Sequence, residues 1–179
     1  MRVIAGEFRS RRLESIPGGT TRPTADRVRE ALFNILQTRI QGASFVDAYA
    51  GTGAVGIEAL SRGAGHAWFL ERDRRALDAI RKNLAMLGIE RRATVLAGKV
   101  LTTLERCPPG IVFLDPPYDL ADEYSGVLEQ LGERPPALTI AQHSVRLQLK
   151  EAYGGLRRTR EVKHGDNLLT FYSPGEQAG

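Results

Sequence analysis

The sequence predicts an α/β fold built on an open, doubly wound sheet of mostly parallel strands. Three observations predict it. Short β-rich apolar runs alternate with helix-length amphipathic segments between residues 44 and 142. A glycine turn, Gly51-Thr52-Gly53-Ala54-Val55-Gly56, joins one such run to a helical segment. The chain closes with two longer strand-like runs around Gly165-Asp166, the pattern of an antiparallel hairpin.

At 179 residues the chain suits one domain, 1–179, with residues 1–20 as an N-terminal extension. A composition of 42% hydrophobic and 26% charged residues is that of an ordinary globular protein. The net charge of +4, carried mostly by arginine, is compatible with a polyanionic partner. The single Cys107 excludes an internal disulfide and a cysteine metal cluster. His66, His143 and His164 show no metal-ligand spacing, so no metal is expected. The opening is charged throughout and no apolar run approaches a membrane span, so a cytoplasmic protein is expected.

Residues 2–6 and 11–16 read as a short hairpin crowded with Arg2, Arg9, Arg11 and Arg12. Such an edge discourages sheet-to-sheet pairing or meets a partner. A flexible connection over 17–21 leads to Arg22-Pro23-Thr24, where a helix opens with Thr24 as its N-cap. Val28, Ala31, Leu32, Ile35 and Leu36 form its apolar face. Arg22, Arg27 and Arg29 lie off that face, as surface residues or ligands for an anion. The first core strand, 44–49, carries Asp47 and runs into the glycine turn. The second, 66–70, ends at Glu71. A helix over 73–87 is stopped by Gly88. A third strand, 93–97, leads to Gly98-Lys99-Val100, and a short helix over 99–106 precedes the fourth strand, 111–114. A helix over 122–132, a strand over 137–142 and the hairpin strands 156–164 and 167–172 complete the chain.

In an open α/β sheet, ligands bind at the carboxyl ends of the strands. Asp47, the glycine turn, Glu71, Gly98 and Asp115 all fall at that edge. Gly51, Gly53 and Gly56 let a backbone approach a ligand at a helix N-terminus. Glu71 follows Gly51 by the interval at which an acid grips a ribose, so an adenosine ligand is expected. A carboxylate at Asp47 suits the ammonium group of S-adenosylmethionine and would repel the pyrophosphate of NAD. The blander alternatives are a cap on the turn for Asp47 and an ion pair with Arg72 or Arg74 for Glu71.

Asp115-Pro116-Pro117-Tyr118 ends the fourth strand in a stiff turn, because each proline fixes its φ and pushes the preceding residue toward extended geometry. The Asp115 carboxylate and the Pro116 carbonyl could hold a planar amino group, with Tyr118 stacked on the ring that bears it. The blander alternative is a strand-ending turn with a buried tyrosine.

These features together resemble the RsmD-like family of bacterial 16S rRNA guanine-N2 methyltransferases. The likeness is carried by Arg22-Pro23-Thr24-Ala25-Asp26-Arg27-Val28-Arg29-Glu30-Ala31-Leu32-Phe33-Asn34, by Asp47 through Gly53, by Glu58-Ala59-Leu60-Ser61-Arg62-Gly63-Ala64, by Glu71, by Asp115 through Tyr118, and by the opening Arg2-Val3-Ile4-Ala5-Gly6. The resemblance implies a Rossmann-like, seven-stranded class I methyltransferase fold, S-adenosylmethionine as cofactor, and methylation of one guanine in 16S rRNA or a small-subunit assembly intermediate by a monomer. The implied catalytic residues are Asp115, Pro116, Pro117 and Tyr118. The implied cofactor set is Arg22, Thr24, Asp47, Tyr49, Ala50, Gly51, Thr52, Gly53, Glu71, Arg72, Gly98, Lys99 and Val100. Arg2, Arg9, Arg11, Arg12 and Arg22 are the expected RNA contacts. Three positions depart from the family pattern: Tyr49 where phenylalanine is usual, Lys99 where an acid or amide touches adenine, and Gln142 where glutamate is expected. Competing readings are a DNA adenine-N6 methyltransferase, a nicotinamide dehydrogenase and a non-catalytic RNA-binding module.

Overall fold

The computed structural model describes residues 1–17 and 23–176; the side chains of Pro23, Thr24 and Tyr118 lie outside that description. The strands are β1 (Ser44–Ala48), β2 (His66–Glu71), β3 (Ala93–Ala97), β4 (Ile111–Leu114), β5 (Leu138–Ser144), β6 (Ala152–Tyr153), β7 (Leu156–His164) and β8 (Asn167–Pro174). They form one sheet in the order β3-β2-β1-β4-β5-β8-β7-β6. The first five pair in parallel, and β8, β7 and β6 are antiparallel. The expected seven strands are present; the eighth, β6, is a two-residue piece at the edge.

Helices α1 (Pro23–Leu36), α2 (Ala54–Ser61) and α3 (Arg74–Leu87) pack on one face, and α4 (Val100–Thr103) and α5 (Glu123–Glu133) on the other. Each face has its own core. Phe33, Phe45, Phe69, Phe113 and Ile140 anchor the first; Val46, Leu70, Leu114, Val127 and Tyr172 anchor the second. Burying each large apolar side chain stabilises the fold by about 1.5–3 kcal/mol. Local signals set several boundaries. Asp73 caps α3 by accepting from the Ala76 N–H at 2.9 Å, and Gly88 ends it in the left-handed conformation.

Three expectations for the first 36 residues need correcting. Pro23 is already the first residue of α1, so Thr24 is inside the helix and does not cap it. Arg29 is not on the surface: the buried stripe of α1 runs through Val28, Arg29, Leu32, Phe33 and Leu36, and Arg29 is 6% exposed. The N-terminal hairpin forms but is shorter than expected: the Val3 N–H donates to the Arg11 carbonyl at 3.0 Å and the Leu13 N–H to the Met1 carbonyl at 2.9 Å. It keeps one antiparallel bridge, Arg2 with Arg12.

The reason is that α2 takes the backbone groups a longer hairpin would have used. Glu58, fully buried, accepts from the N–H groups of Ile4 (2.9 Å) and Ala5 (3.0 Å). Ser61 accepts from Glu7 through its carbonyl (2.8 Å) and from Phe8 through its hydroxyl (3.0 Å). Arg62 pairs with the Glu58 carboxylate at 2.8 Å, and Arg29 donates to the Arg2 carbonyl at 2.8 Å. Val3 and Leu13 are buried in the first core. A carboxylate buried at this depth is tolerated because its oxygens are saturated and its charge is matched.

Glu58→Ala would strand two backbone donors, leave Arg62 without its acid and leave Arg29 with Asp26 alone. The expected loss is about 3–5 kcal/mol of folding stability, read by urea denaturation, with Glu58→Gln intermediate.

Candidate active site

Strand alternation and register arrange four polar side chains. Asp47, Glu71, Asp115 and Gln142 each stand two residues after a buried residue of the first core: Phe45, Phe69, Phe113 and Ile140. Side chains two apart in a strand share a face. Asp47 is level with Phe69 and Phe113, and Phe113 with Ile140. Glu71, Asp115 and Gln142 therefore stand together one step further along, on β2, just beyond β4 and on β5. Adjacent strands lie about 4.8 Å apart, so this row spans roughly 14 Å. On β1 the same level belongs to Tyr49, where the chain leaves the sheet with a left-handed φ of 64°. The glycine turn fills the gap.

Two carboxylates hold that turn. Asp47 is 2% exposed and accepts from the Gly56 N–H at 2.8 Å, a donor of the first turn of α2 that has no partner within the helix. Burial raises its pKa well above the ordinary value; the Gly56 N–H opposes the rise, and the fields of Asp115 and Glu71 add to it. Glu71 accepts from the Gly51 N–H at 2.8 Å with one oxygen and from Arg72 and Asp73 at 2.8 and 2.9 Å with the other. The glycines serve different ends. Gly51 (φ 56°) faces open space, Gly53 (φ 82°) turns toward Phe69 and Ile80, and a Cβ on Gly56 would come within 2.4 Å of the Phe69 ring.

A cavity of about 790 Å³ lies over this edge. It brings together Tyr49, Gly51, Glu71, Arg72, Gly98, Lys99, Val100, Asp115, Pro116 and Pro117, as the sequence predicts. Asp47, Ala50, Thr52 and Gly53 do not line it; Asp47 sits beneath the turn as its cap. Arg22 lies outside the described residues, as do the side chains of Thr24 and Tyr118, although the neighbouring Ala25 lines the cavity. Arg2, Arg9, Arg11 and Arg12 are exposed and none forms an ion pair among the described residues.

The far wall is made of residues that sequence reasoning missed: Glu123, Tyr124, His143, Ser144, Asp166 and Asn167. The Tyr49 hydroxyl donates to Glu123 at 2.5 Å, and burial, then this bond, raise its pKa. Tyr124 donates to the Gln142 carbonyl and meets the His143 ring edge-on. His143 is buried between the Ser144 carbonyl (3.0 Å) and the Thr170 hydroxyl (2.7 Å), and burial lowers its pKa, a structural role for this histidine. The usable signal was the length of β5: strand pairing continues to Ser144, opposite Asn167.

Asp115 is open to the cavity, yet the surrounding protein desolvates its carboxyl and pushes it up to about 7. Both statements hold for a group on a concave floor, reachable by water but surrounded by protein; the residual hydration works against the rise. Among the turn carbonyls, that of Pro117 accepts from Leu120 at 2.8 Å, while that of Pro116 has no partner among the described residues.

A carboxyl whose folded pKa lies above its ordinary 3.8 binds protons more tightly in the folded state. Its contribution is favourable at low pH and declines as pH rises from about 4 to about 7. Asp115→Asn should therefore raise the melting temperature at pH 8, and the gain should vanish at pH 4; thermal unfolding at the two pH values checks this.

Comparison with known proteins agrees with this geometry. The family described as conserved hypothetical protein 95 matches residues 1–173. YlbH of Bacillus subtilis is 36% identical over 96% of this chain and 98% of its own. Ribosomal RNA small subunit methyltransferase D of Escherichia coli is 41% identical over 136 residues, 74% of this chain and 68% of that one. The solved structure of YhhF from Escherichia coli superposes with a TM-score of 0.85 at 33% identity, covering 99% of both chains. The mostly parallel sheet with its antiparallel hairpin is thus a Rossmann-like methyltransferase fold, and the chain belongs to the conserved hypothetical protein 95 family as an RsmD-like member.

Proposed function

We propose that the protein transfers a methyl group from S-adenosylmethionine to the N2 amino group of a guanine in 16S rRNA, presented as RNA or as a small-subunit assembly intermediate. The observation that carries this reading is the placement of Asp115 on the floor of the same cavity as Glu71 and the glycine turn. The named activity of the Escherichia coli relative supports the rRNA substrate.

The residues present fit the cofactor. Gly51 leaves open space at the turn, and Glu71, already oriented by three N–H groups, has one lone-pair site left, on the oxygen that takes the Gly51 N–H, for a ribose hydroxyl. Arg72, Gly98, Lys99 and Val100 border the same end, and the backbone at Gly98-Lys99 is the adenine contact this reading requires. When bound, the cofactor supplies an electrophilic methyl group. Arg22 and Thr24 stay in the proposed set by resemblance alone. No cluster of metal-ligating side chains occurs among the described residues.

The chain's own residues orient and polarise the amine. The lone pair of a purine amino group is delocalised, so it is a weak nucleophile. The Asp115 carboxylate and the Pro116 carbonyl accept from its two N–H bonds, favour pyramidalisation and aim the lone pair. The ionised Asp115 carboxylate is a stronger acceptor than its protonated form, and the product cation is acidic enough to lose its proton to water. Tyr118 is the stacking partner of the extruded base in this reading. The DNA adenine alternative has no counterpart in the rRNA activity named for the Escherichia coli relative.

Asp115→Ala should lower kcat by about 10²–10⁴-fold with little change in cofactor affinity, and Asp115→Asn should retain more activity than alanine. Single-turnover methylation with saturating RNA checks both. In the wild type the rate should rise with pH through about 7, as the stronger, ionised acceptor replaces the protonated one, and this step should be absent in Asp115→Asn.

Binding of rRNA should weaken with salt. Replacing Arg9, Arg11 and Arg12 with alanine should flatten the slope of log affinity against log salt by about one unit for each phosphate that is no longer neutralised. A filter-binding series from low to high salt reads this slope.

A further inference from the structure

Asn83 lies on α3, is fully buried, and is outside the cavity. Its carboxamide is committed on every side. Oδ1 accepts from the Glu14 N–H at 2.7 Å, and Nδ2 donates to the Glu14 carbonyl at 3.2 Å and to the Thr52 carbonyl at 3.1 Å. Glu14 follows Arg12 by two residues, across the buried Leu13. Thr52 is the middle residue of the glycine turn between Gly51 and Gly53. One buried side chain therefore joins the arginine-bearing N-terminal segment to the turn that meets the cofactor.

We propose that Asn83 is a positioning residue that couples RNA docking on the N-terminal segment to cofactor binding at the glycine turn, so that the two ligands bind cooperatively. The proposal rests on the reading of that segment as an RNA contact. The chemistry requires this residue type. The Glu14 N–H needs an acceptor and the Thr52 carbonyl needs a donor, and a carboxamide offers both. Ordering of the segment by phosphate contacts fixes the Glu14 peptide, which fixes the Asn83 rotamer and through it the tilt of the Thr52 carbonyl. Cofactor binding fixes the same peptide from the other side. Two ligands that order one shared element favour each other, and the coupling is reciprocal.

The test measures binding of S-adenosylhomocysteine, which cannot turn over, by calorimetry with and without saturating 16S rRNA. In the wild type, RNA should tighten S-adenosylhomocysteine by about fivefold or more, and the analogue should tighten RNA by the same factor. In Asn83→Ala each ligand should still bind alone, but the ratio should fall to within about twofold of unity. A merely structural role would lower the melting temperature and leave the ratio intact. A wild-type ratio of one overturns the proposal, as does an unchanged ratio in the variant. If Asn83→Ala does not fold, Asn83→Asp, which keeps the acceptor for Glu14 but loses the donor to Thr52, is held to the same two criteria. The Arg11→Ala/Arg12→Ala pair separates the two failures. Unchanged RNA affinity removes the RNA reading of the segment and the coupling with it. Weakened RNA affinity beside a wild-type ratio of one removes the coupling alone.

Discussion

A glycine turn has no side chains to hold its shape, and here two carboxylates hold it from opposite ends. Glu71 gathers the N–H groups of Gly51, Arg72 and Asp73, and Asp47 takes that of Gly56. Without Glu71, Gly51 would have no anchor to β2; without Asp47, a buried donor at the start of α2 would have no partner. Charge-assisted bonds of this kind are worth roughly 1.5–3 kcal/mol each. They also leave Glu71 oriented before a ligand arrives, which lowers the cost of ordering a ribose contact.

The cavity floor concentrates negative charge, since Asp47, Glu71, Asp115 and Glu123 all lie at or beneath it. The protein answers each differently. Asp47 is buried and accepts from one N–H, Glu71 accepts from three, and Glu123 accepts from a tyrosine hydroxyl. Asp115 has no such partner among the described residues, and its carboxyl rises to about 7. A carboxylate left unpaired on a cavity floor is available to a donor from outside the chain, whereas the others are occupied in building the walls.

Features set by local chemistry were legible in the sequence. The bounds of β3, the stop at Gly88 and the Asp-Pro-Pro turn after β4 follow from propensity, glycine and proline geometry over a few residues. What escaped was decided by residues far apart in the chain. The hairpin read in residues 2–16 stops short because Glu58, more than 50 residues away, claims the Ile4 and Ala5 N–H groups. Arg29 looks like a surface residue on a helical wheel until Glu58 and the Arg2 carbonyl supply its partners. The far wall of the cavity was invisible for the same reason: Glu123 matters because Tyr49, 74 residues earlier, points its hydroxyl there. Asp47 was legible as a strand-end acid, but whether it caps the turn or faces a ligand depends on how deep it lies.

The Tyr49–Glu123 bond has a bearing on how such proteins diverge. With phenylalanine, the usual residue of the family at position 49, the carboxylate at 123 would lose the donor it has here. It would then be hydrated, paired with another group, or replaced by a residue that packs on the ring. A change at position 49 therefore alters what position 123 requires, although the two are far apart in sequence. The left-handed backbone at Tyr49, which costs an aromatic residue about 1–2 kcal/mol, ties this pair to the turn as well. Covariation between positions 49 and 123 would thus trace a hydrogen bond across a pocket, not a contact within the core.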